Sequence, residues 1–168
     1  MNGEQQDIRD QGGTIAGRLR RAELDVAVSV EIRAESRRVL YALTIPEYME
    51  AWLQMPDLEK LECSADSRAP NSFHIDLYSS EASHTRIEGF CLLSNPDWIV
   101  YLWKNSCAGN NAETMVGIHL RSGPGQCTVD LKHSGFCTLE ESVWHSRMWH
   151  SSLDKLCKLM TKMNGSAH

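Results

Sequence analysis

The chain has 168 residues, 42% of them hydrophobic and 23% charged, with a formal net charge of -5. That supplies one substantial core and suggests a single domain, while the acidic balance gives no electrostatic reason to expect nucleic acid or an anionic membrane as partner. The six cysteines, Cys63, Cys91, Cys107, Cys127, Cys137 and Cys157, include no pair separated by two residues, so they read as reduced thiols and not as a zinc knuckle or redox motif.

Residues 1–23 are polar, with Gly12-Gly13 and the cluster Arg18, Arg20 and Arg21, and are expected to form a mobile tail ahead of a domain over 24–164. No apolar run follows the first charged residues, and nowhere do about 18 apolar residues stand together. Neither a signal peptide nor a membrane span is therefore expected, and the compartment implied is the cytoplasm.

Val26, Val28, Val30 and Ile32 alternate with Ala27, Ser29, Glu31 and Arg33, the period-two pattern of a half-buried strand. From Ser36 the spacing becomes helical. Val39, Leu40 and Leu43 precede Thr44-Ile45-Pro46, and Tyr48, Met49, Trp52 and Leu53 precede Pro56, which predicts two short helices joined at a proline suited to a first helical turn. Lys60 to Asp66 is a weaker candidate for extended chain, and Arg68-Ala69-Pro70-Asn71 reads as a turn. Phe73, Ile75 and Leu77 then mark a strand, Arg86 to Leu93 another, and Asn95-Pro96-Asp97 a reversal into Trp98 to Trp103. That last strand is apolar at consecutive positions, so both of its faces should be covered. Ala108 to Asn111 reads as a hairpin connection. Thr114, Val116, Ile118 and Leu120 alternate with Met115, Gly117 and His119, and Ser122-Gly123-Pro124-Gly125 turns the chain into Val129, Leu131 and His133.

The final element is a long helix. Thr138 followed by Glu141 forms a capping box, which sets the start near Leu139. His145, Trp149, Leu153, Leu156, Met160 and Met163 then recur on one stripe. At about 1.5 Å per residue the helix is on the order of 37 Å long and needs a surface of similar length to cover it. An antiparallel sheet that is apolar on one face meets that need, so the predicted class is a two-layer α+β domain.

Several local patterns now support a resemblance. Val39, Ala42-Leu43-Thr44, Pro46-Glu47 and Trp52 come after the first strand, and Gly89, Pro96 and Trp103 lie in the middle strands. His133-Ser134-Gly135-Phe136 follows, with His145, Trp149, Leu153 and Leu156 on the helix. Over roughly residues 25–163 the chain resembles the START-like, or SRPBCC, superfamily, within it the branch of activator of heat-shock-protein ATPase homologues. The resemblance implies a helix-grip fold, in which a curved antiparallel sheet of about six to seven strands wraps one long C-terminal helix, with two short helices after the first strand. It also implies a space between sheet and helix in which relatives hold lipids, sterols, hormones or polyketides. Met148 stands where relatives often carry glycine, and a thioether would fill room that glycine leaves open.

The function implied is carriage or sensing of an apolar or amphipathic small molecule, with Trp103, Met115, His119, His145, Trp149 and Leu153 as candidate wall residues. His145 and Trp149 lie one turn apart, so an imidazole and an indole could both face a guest. The structural alternative is a core histidine satisfied by a backbone or strand partner. His133 reads as a corner residue. One alternative function is a cyclase or aromatase using His145 or Glu88 for proton transfer, since a histidine on a buried stripe titrates in the useful range. Another, from the branch name, is stimulation of a chaperone ATPase through a chaperone partner. No cofactor is expected. His74, His84, His119, His133, His145 and His150 show no metal-ligand spacing on one element, and neither a nucleophile elbow nor a phosphate loop occurs.

Overall fold

The computed structural model describes residues 24–56, 58–67, 69–79, 83–105 and 113–165. The expected tail and the expected hairpin connection at Ala108 to Asn111 lie outside them. The chain runs β1 (Val26–Ile32), α1 (Ser36–Thr44), α2 (Pro46–Trp52), β2 (Lys60–Ala65), β3 (Ser72–Tyr78), β4 (His84–Ser94), β5 (Trp98–Asn105), β6 (Glu113–Gly123), β7 (Gln126–Ser134) and α3 (Leu139–Gly165). Seven strands form one antiparallel sheet in the order β1-β7-β6-β5-β4-β3-β2. All but one of the neighbouring pairs are consecutive in sequence, as short turns require. The exception brings the first strand beside the last, with Val26 opposite His133 and Ile32 opposite Cys127. The sheet curls around α3, which is the predicted helix-grip architecture with two short helices after the first strand.

Alternation decides which side chains meet the helix. On β5 the inward residues are Ile99, Tyr101 and Trp103, on β6 Val116, Ile118 and Leu120, and on β7 Cys127, Val129, Leu131 and His133, all buried. The expectation that β5 is covered on both faces holds only for the inner one. On the outer face Trp98 stays 46% exposed, beside exposed Phe90, Leu93 and Met115. Its apolar residues there find lateral cover instead, with Leu102 opposite both Phe90 and Met115 and Val100 opposite Leu93.

The two short helices are tied to the core by their ends. The last carbonyls of a helix lack intrahelical partners. Trp52 Nε1–H donates to the Ala42 carbonyl (2.7 Å) and the Tyr101 hydroxyl donates to the Leu43 carbonyl (2.8 Å), so two buried aromatic side chains close the end of α1. Pro46 opens α2, and Ile45 is at once the last cap of α1 and the first of α2.

The predicted capping box is present at the start of α3. Glu141 N–H donates to Thr138 Oγ1 (3.2 Å), and the Glu141 carboxylate accepts from the amides of Thr138 (3.2 Å) and Cys137 (2.9 Å). Along the helix Met148, Trp149, Leu153, Leu156 and Met160 are buried, whereas Met163, expected on the same stripe, is 41% exposed near the end of the helix. Ser152 sits among them, fully buried. Its hydroxyl donates to the Gln54 carbonyl (3.0 Å) and accepts from the Gln54 amide (2.9 Å), which fixes α3 against the segment after α2.

Gly89 shows why one middle-strand position lacks a side chain: a Cβ there would land inside the ring of Phe73, which lies over it and meets Tyr101 edge-on at 5.4 Å. Gly89→Ala is therefore expected to destabilise the fold by about 1–3 kcal/mol, the usual cost of overpacking. Urea unfolding midpoints measured as a double-mutant cycle check it. The cost should shrink in a Phe73→Leu background, and an undiminished cost would place the strain elsewhere.

Candidate functional site

The strand β7 delivers His133 to the inner face, and the chain then turns at Gly135, whose φ of +100° suits glycine. A Cβ there would also crowd the Glu113 carbonyl at 3.1 Å and the Thr114 Cα at 3.2 Å. This turn swings Phe136 back over His133, with ring centroids 4.5 Å apart, and aims the chain into α3. One and a half turns into the helix, His145 meets the His133 ring at 4.9 Å and the Phe136 ring at 4.6 Å. A turn later Trp149 packs at 5.3 Å from Trp103 of β5, itself 5.4 Å from His133. Five rings, from β5, β7, α3 and the turn that joins the last two, thus gather between helix and sheet.

The hydrogen bonds of this cluster set its proton positions. An indole nitrogen can only donate, so Trp149 Nε1–H gives its proton to His133 Nδ1 (2.9 Å) and leaves the lone pair there. Burial, with a smaller contribution from neighbouring His145, pushes the His133 pKa down to about 2. Its imidazole is therefore neutral, and its proton resides on Nε2. His145 is the opposite tautomer: Nδ1 lies 2.7 Å from the Glu141 carbonyl, which can only accept, so Nδ1 carries the proton. Burial lowers its pKa as well, against a smaller opposing effect of that hydrogen bond.

Two donors in the cluster have nothing to donate to. His133 Nε2 and Trp103 Nε1 are buried and find no hydrogen-bond partner among the described residues. His133 is 0% exposed and Trp103 2%. Buried polar groups are ordinarily paired, so two such atoms on adjacent rings mark this end of the interior as chemically unfinished.

The candidate wall residues divide accordingly. Trp103, His145, Trp149 and Leu153 lie between helix and sheet, and the first three belong to the cluster. Met115 and His119 do not. They alternate with the inward Val116, Ile118 and Leu120, so they project from the opposite face. There His119 stacks on Trp98 at 4.2 Å, and both residues line an open outer groove of about 600 Å³ floored by Gly117. The β6 alternation already carried this signal. Glu88 is also removed as a proton donor to an internal guest, since it is exposed on β4 next to the inward Ile87 and Gly89. His133 and Phe136, read as corner residues, also pack in the ring cluster. The helical spacing of the last element could not reveal them because they precede it. Met148 is wholly buried beside Trp149, so its thioether takes up core volume at this level of the helix. Among the described residues no three His, Cys, Asp or Glu side chains gather in a way that could hold a metal ion, and no helix is long and apolar enough to cross a membrane.

The same architecture recurs in solved structures. A protein from Chromobacterium violaceum matches with a TM-score of 0.66 at 18% identity, over 82% of this chain and 97% of its own. A protein of Silicibacter pomeroyi described as AHSA1 matches with a TM-score of 0.66 at 18% identity, over 83% of this chain and 99% of its own. DynU16, a protein of the dynemicin biosynthetic locus, matches with a TM-score of 0.63 at 19% identity, over 82% of this chain but 47% of its own. At such identities these likenesses speak for the fold. Comparison with curated proteins gave no match. The family model described as "Activator of Hsp90 ATPase homolog 1-like protein" matches residues 33–161, a span that takes in the short helices, strands β2 to β7, the glycine corner and nearly all of α3. With the ring cluster and all of the fold but β1 inside that span, the chain belongs to the family of activator of Hsp90 ATPase homolog 1-like proteins.

Proposed function

We propose that the protein binds an apolar or amphipathic small molecule between α3 and the inner face of the sheet, at the end formed by Trp103, His133, Phe136, His145 and Trp149, and acts as its carrier or sensor. The observation that carries this reading is the pair of buried N–H groups, on His133 and Trp103, unpaired among the described residues within a cluster of rings. A group left so costs about 1–3 kcal/mol, and a guest that offers it a partner recovers much of that cost. The walls are ring faces and Leu153, which suit a guest with an apolar body. The recurrence of the fold in a protein of the dynemicin biosynthetic locus supports the reading by analogy only.

Entry of a guest needs room, and Met148 is the side chain best suited to yield it, because an unbranched thioether changes rotamer at little cost. Native mass spectrometry after incubation with lipid and polyketide extracts should show an added mass on the wild-type protein. A Met148→Ala variant should retain the adduct to higher collision energy. No adduct on either protein from any extract would remove this reading.

The neutral imidazoles also set a pH dependence. The unfolded chain binds a proton at each histidine near the ordinary pKa of about 6.5, whereas buried His133 stays neutral until about pH 2 and His145 is shifted the same way. Below about 6.5 the unfolded state therefore takes up protons that the native state refuses, and stability falls as pH falls. Urea midpoints should decline between pH 6.5 and 5, above the range where the carboxylates protonate. A flat profile in that window would contradict the assigned neutral states.

A further inference from the structure

Resting on the binding role just proposed, the structure also constrains which atom of a guest the site recognises. Trp103 Nε1 is an indole nitrogen and donates only. His133 Nε2 is obliged to donate because Trp149 occupies Nδ1 of the same ring at 2.9 Å. The two unpaired atoms are therefore both donors, on rings whose centroids lie 5.4 Å apart. A guest atom that satisfies them must be an acceptor.

Charge narrows the class. No lysine or arginine belongs to the cluster, and its imidazoles are His133 and His145. The Glu141 carboxylate on the first turn of α3 is already engaged by the amides of Cys137 and Thr138. An anionic guest would leave water without meeting a counter-charge, which the interior penalises. We propose that the cluster is a recognition site for one uncharged carbonyl oxygen, as in a ketone, aldehyde or quinone, held by His133 Nε2–H and Trp103 Nε1–H, and that it discriminates against carboxylates. His133 is then a binding residue, and Trp149 a positioning residue that acts by fixing its tautomer. The same constellation could hold one buried water, whose oxygen would serve both donors.

Three probes of matched shape separate these cases: acetophenone, ethylbenzene and benzoate, titrated into the full chain by calorimetry and followed by the indole N–H resonances in proton–nitrogen spectra. Acetophenone should bind at least tenfold more tightly than either of the others and move the Trp103 indole proton downfield. Trp103→Phe keeps an aromatic ring and deletes one donor, so it should lower acetophenone affinity about tenfold and leave ethylbenzene unchanged. Equal binding of acetophenone and ethylbenzene, preference for benzoate, or an unmoved Trp103 resonance in the wild-type protein would overturn the carbonyl assignment while leaving the proposed binding role in place. A long-lived water detected at both N–H groups and not displaced by acetophenone would overturn it too. Failure of all three probes, together with no adduct from any extract, would remove the binding role itself.

Discussion

The hydrogen bond from Trp149 to His133 is the contact on which the rest of the interior depends. It joins the middle of α3 to the end of β7, crosses the layer between helix and sheet, and is fully buried at 2.9 Å. Because its donor is an indole, it also dictates the tautomer of the histidine, and so converts a packing contact into a chemical instruction about the far ring nitrogen. The helix is held at other points, through Ser152 to the backbone of Gln54 and through its apolar stripe, but those contacts fix position alone.

This arrangement explains how an apolar core acquires a polar spot without charge. His133 is surrounded by rings, and burial keeps it neutral. In a low-dielectric interior a neutral donor is tolerated where an imidazolium is not. Buried thiols follow the same logic in the opposite direction: Cys63 lies in the core with its pKa pushed up to about 12, chiefly by burial, so it packs as a small apolar residue and offers no thiolate nucleophile. Tyr101 likewise has its pKa raised, chiefly by burial, and serves by donating its hydroxyl proton to the end of α1.

Much of this was legible in the residues because the signals were local and periodic. The capping box at Thr138 and Glu141, the stripe through Trp149, Leu153, Leu156 and Met160, and the alternation of β1, β3 and β6 each state one element's geometry within a short window. What failed needed information from outside the window. Met115 and His119 are wall candidates only through family likeness, which implies a space without saying which face of a given strand meets it, and the alternation of their own strand turns them outward. Residues of β5 on its outer face are apolar because neighbouring strands flank them, not because a layer covers them. Ser152 lies on the buried stripe, where no apolar pattern would choose a serine, and its reason is a backbone partner 98 positions away. Gly89 likewise owes its identity to a ring on the adjacent strand.

The site was half legible for the same reason. Helical spacing puts His145 and Trp149 on one stripe, but the consecutive apolar residues of β5 do not say which way Trp103 faces, and the role of His133 depends on which of its nitrogens is occupied, which only the tertiary contact decides. The most direct test is the long-range proton–nitrogen correlation spectrum of histidine-labelled protein at neutral pH. The account predicts that His133 shows a protonated Nε2 and an unprotonated, hydrogen-bonded Nδ1 in slow exchange with solvent. The reverse tautomer, or an imidazole averaged by rapid exchange, would contradict it.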